Sequence, residues 1–223
     1  MEFQQTQVQP LHASYVALDE VKKRWAIAVG YEVMCRIGNS ISATLHKVGF
    51  HPTGVIGAIG AAAAAGRVAG LDSAHIDALF GIMGSRASGS MQYLDNGAWN
   101  KRLRPGWAAH NALIGVQLVK AGTTGATKLV EGSFGLLKAY DHGNVDSLIV
   151  KNIGRVWEAR NTAIKPYACC SLIHGAIDAI YLLRKDTTPA PTAELEVHIS
   201  KKGLLIVGNA ASNRVCLKNI VDA

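Results

Sequence analysis

Residues 49–70 read GFHPTGVIGAIGAAAAAGRVAG, and the fold turns on how they are taken. Gly49-Phe50-His51-Pro52-Thr53-Gly54 has the residues of a turn, and the alanine- and glycine-rich run behind it predicts a helix over 54–69. Small side chains let a second backbone come close, so Gly57 and Gly60 are expected on a face pressed against another helix. A membrane span is the competing reading of Val55–Ala65. That stretch is too short, Arg67 follows it, and alanine and glycine gain little on transfer to lipid. The run therefore reads as a core helix that needs helical neighbours.

Those neighbours lie on both sides. Upstream, Leu18 to Leu45 carries a long helical pattern, with Asp19 and Glu20 at the end where the helix dipole favours negative charge. Trp25, Val29, Val33 and Ile37 recur every four residues as an apolar stripe, and Gly38 marks a place for a bend or break. Downstream, Asp72 or Ser73 caps a third helix to Met83, 85–105 is polar and irregular, and Pro105-Gly106 opens a helix from Trp107 to Lys120. Short helical pieces continue to Tyr140. Beyond Asn144 the pattern changes: Val156–Ala163 alternates like a strand and Ser171–Arg184 is helical. After a connector at 186–192, Glu194–Ser200 and Leu204–Val207 read as strands. The expected architecture is mainly α. A loose tail (1–16) precedes an all-helical domain (17–143), which leads into part of a smaller α+β lid domain (144–223).

Composition narrows the function classes. Apolar residues are 49% and charged residues 17% of the chain, which suits a well-cored protein rather than a disordered one. The formal charge of +7 comes from 23 Lys and Arg that are scattered, without the basic stripe and interleaved aromatics of a nucleic-acid binder. A positive field that draws small anions fits that pattern, so neither nucleic acid nor membrane is an expected partner. Cys35, Cys169, Cys170 and Cys216 form no CxxC pair, and the polar N-terminus has no secretory core. The expected compartment is reducing: the cytoplasm, or the mitochondrial matrix in a eukaryote.

Three segments carry residues with chemistry. His51 stands in a turn before a helix, where free N–H groups attract carboxylates. It reads either as an acid–base or anion-binding group or as a packing histidine. Lys101-Arg102-Leu103-Arg104 precedes Pro105-Gly106 and reads either as a carboxylate clamp or as a solvated basic loop. Lys165-Pro166-Tyr167-Ala168-Cys169-Cys170, with His174 one helical turn on, places a lysine at a strand end beside a histidine. Cys170 and His174 have i, i+4 spacing, but no further ligand pair completes a metal site. Neither a Walker A sequence nor a dinucleotide fingerprint is present.

Taken together and in order, these segments resemble the MmgE/PrpD family. The resemblance starts near Ala26–Val33, strengthens at Gly49–Gly54, and continues through Lys101–Leu103, Pro105–His110, Lys165–Tyr167 and His174–Ala179. It implies a helical domain and an α+β lid with the active site between them, a homodimer, and no metal or organic cofactor. It implies a lyase, most simply a hydro-lyase on a citrate-like polycarboxylate such as 2-methylcitrate, with decarboxylation of the cis-aconitate type or epimerisation as family alternatives. His51 and Lys101 are then the catalytic pair, and Arg102, Arg104, Lys165, Cys170 and His174 bind substrate. Cys170 falls where the decarboxylases place a catalytic histidine, a departure that argues against cis-aconitate decarboxylation, and Arg104 where many relatives have histidine. Complete members carry a histidine- and aspartate-containing segment ahead of the first motif. The chain is accordingly expected to be truncated at both ends: a non-catalytic homologue, or one half of an enzyme whose other half is separately encoded.

Overall fold

The computed structural model describes residues 20–141, 149–187 and 196–208. The tail at 1–16, most of the 186–192 connector, the start of the 194–200 strand reading, and Cys216 lie outside them. Seven α-helices are described: α1 (Glu20–Lys47), α2 (Pro52–Ala69), α3 (Ser73–Gly84), α4 (Asn100–Lys120), α5 (Leu136–Asp141), α6 (His174–Asp186) and α7 (Lys201–Val207). The chain is mainly α, as expected. It divides into two units, residues 1–91 with 100–162, and 92–99 with 163–223.

In the first unit α2 is the hub, packed along α1 and α4 and against α3. Its alanines and glycines make this possible. A Cβ built on Gly60 would lie 2.8 Å from both the Gly30 carbonyl oxygen and Met34 Cβ, and one on Gly30 would lie 3.0 Å from Ala64 Cβ. The two helices therefore cross backbone to backbone at Gly30 and Gly60. Gly57, expected on the same face, has only its own helix's Thr53 near it, at 4.0 Å, and takes no part in the crossing.

The buried face of α1 runs Ala26, Gly30, Ile37, Ile41 and Leu45, not through Trp25, which is 50% exposed. Ile37 is buried and Val33 packs on the core as expected, but toward the start of the helix Ala26 and Gly30 are buried instead of Trp25 and Val29, the smallest side chains sitting where the backbones are closest. α1 also continues through Gly38 without a break. Ile41, Leu45, Val55, Ile59, Leu79, Met83 and Leu137 form the centre of the core. At 18 residues α2 is long and apolar enough to cross a bilayer, contrary to the sequence expectation, but 56% of it is buried among the other helices.

Several boundaries differ. Asp72 caps α3 as expected, its carboxylate accepting from the His75 N–H. α4 starts at Asn100, with Pro105 inside it rather than at its head. Residues 156–163 form no strand. Glu158–Asn161 is a 3-10 turn, because Arg36 and Glu32 of α1 take up the local backbone groups. Leu204–Val207 belongs to α7, whose start is capped by the Ser200 hydroxyl accepting from the Gly203 N–H at 3.1 Å. Residues 196–200 have no regular structure, and no strand occurs among the described residues.

The second unit holds α6 and α7. Ser171–Ile173 is a 3-10 turn running directly into α6.

Candidate functional site

The segment 49–54 is held by its neighbours on both sides. Gly49 ends α1 with φ 79°, the left-handed conformation glycine tolerates. It is followed by Phe50, whose N–H returns to the Leu45 carbonyl at 2.8 Å. His51 then donates its N–H to the Gly89 carbonyl at 2.8 Å, and Met91 donates to the Gly49 carbonyl at 2.8 Å, so 49–51 and 89–91 lie side by side. His51 is the N-cap residue of α2, extended at φ −84° and ψ 119°, with Pro52 in the first turn. Its Nδ1 is buried and its ring meets that of His46 edge-on, with centroids 6.5 Å apart. Gly54 must be glycine because a Cβ there would collide with the Ser88 carbonyl.

Arg104 reaches the same loop from α4. It is 7% exposed, and its Nη2 donates to the Ser90 carbonyl. A Cβ on Gly89 would run into its Nη1. The loop 88–90 thus connects the head of α2 with the first turns of α4. Sequence reasoning passed over this loop, treating it only as polar and irregular; its signal was the Ser88-Gly89-Ser90 run. Lys101 lies three residues before Arg104, on the same flank of the helix, and like Arg102 is exposed. The first unit therefore brings His51 and Arg104 onto one loop and puts Lys101 one turn away. This arrangement can offer a histidine, the N-terminal N–H groups of a helix and cationic side chains to an anion.

Lys165, Cys170 and His174 belong to the second unit. Lys165 is in an irregular segment rather than at a strand end, and its Nζ donates to the Cys169 carbonyl at 3.2 Å. Cys170 precedes the 3-10 turn, and His174 begins α6. Tyr167 ties this loop to the helix. Its hydroxyl donates to Asp178 at 2.5 Å, and its ring stacks on Tyr181 and meets the His174 ring edge-on. The hydrogen bond to the Asp178 carboxylate, which is lost when the phenol ionises, holds the Tyr167 phenol up at about 12. His174 Nε2 is buried without a hydrogen-bond partner among the described residues. Among those residues no three His, Cys, Asp or Glu side chains cluster as a metal site would require.

The model of the MmgE/PrpD N-terminal domain matches residues 25–148. The chain belongs to the MmgE/PrpD family. Curated relatives agree. This MmgE/PrpD chain is similar to a cis-aconitate decarboxylase of Aspergillus terreus (strain NIH 2624 / FGSC A1156), 35% identical over 72% of the chain and 34% of the relative. It is also similar to a cis-aconitate decarboxylase-like protein, oryM, of Aspergillus oryzae, 30% identical over 72% of the chain and 35% of the relative. The chain thus spans about a third of the length of the curated relatives it matches. The matched N-terminal domain includes His51, Lys101, Arg102 and Arg104, whereas Lys165, Cys170 and His174 fall after it.

Proposed function

We propose that the chain contributes the His51 and Lys101 side of a cofactor-independent MmgE/PrpD lyase acting on a citrate-like tricarboxylate, with decarboxylation of the cis-aconitate type as its reaction. The observation that carries this reading is the 35% identity, over 72% of the chain, to a protein named for that decarboxylation. Breaking the carbon–carbon bond to a carboxylate leaves an electron pair conjugated with a neighbouring carboxylate, an enolate-like species. Lys101 stabilises that charge, and the remaining carboxylates lie toward the helix N-terminus behind His51. His51, able to hold or release a proton near neutral pH, delivers the proton that replaces the lost carboxyl group. Arg104, bonded to the Ser90 carbonyl, fixes the loop against which His51 is hydrogen-bonded.

A second reading within the family is dehydration of a 2-methylcitrate-like hydroxy acid. One residue favours it: by the family resemblance Cys170 falls where the decarboxylases place a catalytic histidine, and that departure alters the proton chemistry on that side. Here His51 acts as base or acid on the same enolate-like species, and hydroxide rather than carbon dioxide leaves.

The experiment supplies cis-aconitate and 2-methylcitrate separately, following carbon dioxide release and conjugated-alkene absorbance, with calorimetric titration of tricarballylate alongside. His51→Gln and Lys101→Met are expected to lower turnover by about 100-fold or more without changing the fold. Full activity in His51→Gln would remove the histidine from the mechanism. Tricarballylate binding without turnover would make this chain a non-catalytic homologue or half of a split enzyme, and absence of both would refute the reading.

A further inference from the structure

At the N-terminal end of α1, a groove of about 570 Å³ opens between that helix and the segment carrying Trp157. Val21, Arg24, Trp25, Ala28, Trp157 and Arg160 line it. The two indoles pack on each other, their centroids 5.6 Å apart and tilted by 56°, and line the groove together. Arg24 and Arg160 are both exposed, and neither has a carboxylate partner among the described residues. Among the described residues no acidic side chain lines the groove.

The groove is also built rather than incidental. Its far wall is fastened to α1 by a buried ion pair. Arg36 Nε meets Glu32 Oε1 at 2.6 Å, and the guanidinium donates to the carbonyls of Ile149, Lys151 and Val156 at 2.7–3.0 Å. Glu32 Oε2 accepts from the Ala159 N–H at 3.1 Å. The wall carrying Trp157 and Arg160 is therefore ordered before anything binds, which removes part of the usual entropic cost.

We propose that this groove binds a small planar organic anion, an aromatic carboxylate or sulfonate in class. Its volume lies in the range of small-molecule sites. The paired indoles offer their groove-facing surface to a flat apolar body, and two guanidiniums without a carboxylate partner among the described residues can take its acid group by charge-assisted hydrogen bonds. At 1.5 Å per helical residue, Arg24 is about 30 Å from His46, whose ring neighbours His51. The groove is therefore a second site, not an extension of the one around His51.

The test uses 1-naphthylacetate as probe and its neutral amide, 1-naphthylacetamide, as control. A Trp99→Phe, Trp107→Phe background leaves Trp25 and Trp157 as the only tryptophan reporters; both replaced residues are exposed. Saturable quenching by the acid is expected, at least about tenfold weaker for the amide and for Arg24→Ala/Arg160→Ala. Ala28→Leu, which fills the floor and leaves both indoles and both arginines in place, is expected to abolish it with an unchanged circular dichroism spectrum. No saturable quenching, an equal response to acid and amide, or quenching that survives the double arginine variant would overturn the proposal. Binding to phosphatidylserine vesicles without a response to the acid would also overturn it, assigning the groove to a membrane surface.

Discussion

At position 60 even a methyl group would have no room, since its carbon would lie 2.8 Å from the Gly30 carbonyl oxygen. Gly60→Leu is therefore expected to overpack the α1–α2 crossing and cost about 1–3 kcal/mol, measured by urea unfolding. Gly57→Ala is the matched control. With nothing nearer than 4.0 Å it should be neutral, or stabilise the helix by about 0.5–1 kcal/mol. The need for a close contact was legible in the alanine-rich run, but which glycine makes it depends on how α1 lies across α2, which residue spacing within one helix does not encode. Tyr167 offers a second residue-level test. A phenol raised from its ordinary 10.0 to about 12 favours the folded state while protonated. Its contribution to stability is present below about pH 10 and is lost as the pH rises through about 12. Ultraviolet titration should find one tyrosine ionising near 12, and Asp178→Asn should return it toward 10. A tyrosine that already titrates normally in the parent protein would contradict the Tyr167–Asp178 bond.

Among the elements, the segment 149–161 depends on α1 rather than on regular structure of its own. Arg36 satisfies three of its carbonyls, and Glu32 one of its amides. Arg36→Ala leaves Glu32 buried without its ion pair and is expected to cost about 3–5 kcal/mol in chemical denaturation, with Trp157 fluorescence shifting as its support is lost. A loss below about 1 kcal/mol would mean the segment is held by packing alone. This dependence explains the mistaken strand at 156–163. Alternation in sequence was real, but the backbone partners came from side chains more than a hundred positions away. Pro105 misled differently. A proline in the second turn of α4 forfeits only the bond to the Lys101 carbonyl, so the helix starts before it. At 204–207 a short apolar run read as a strand, while the Ser200 cap, four residues before it, decided for helix.

For the whole molecule, family and helical architecture were readable because His51, Lys101 and the later motifs occur in a fixed order that survives without knowledge of any contact. The chain spans about a third of the relatives it matches, and its residues with chemistry fall in two units, His51 with Lys101 in one and Lys165, Cys170 and His174 in the other. What could not be read was the environment of each side chain. Arg104 looked like a free cation in a basic run, yet it is buried and bonded to the Ser90 carbonyl. Nothing in the spacing of Arg36 and Glu32 marked them out, and they are among the most buried charges described. A net charge of +7 says how a small anion is drawn in, but not which cations meet it.

The seam at Gly30 and Gly60 has a mechanical consequence. Two helices that touch main chain to main chain leave no room at the seam for even one added carbon, so a shift of either along the other meets backbone at once. They are expected to move as a single stiff girder, with the histidine turn at one end and the tryptophan pair at the other. A load on either end would be carried as rotation of the girder, not absorbed by bending along it.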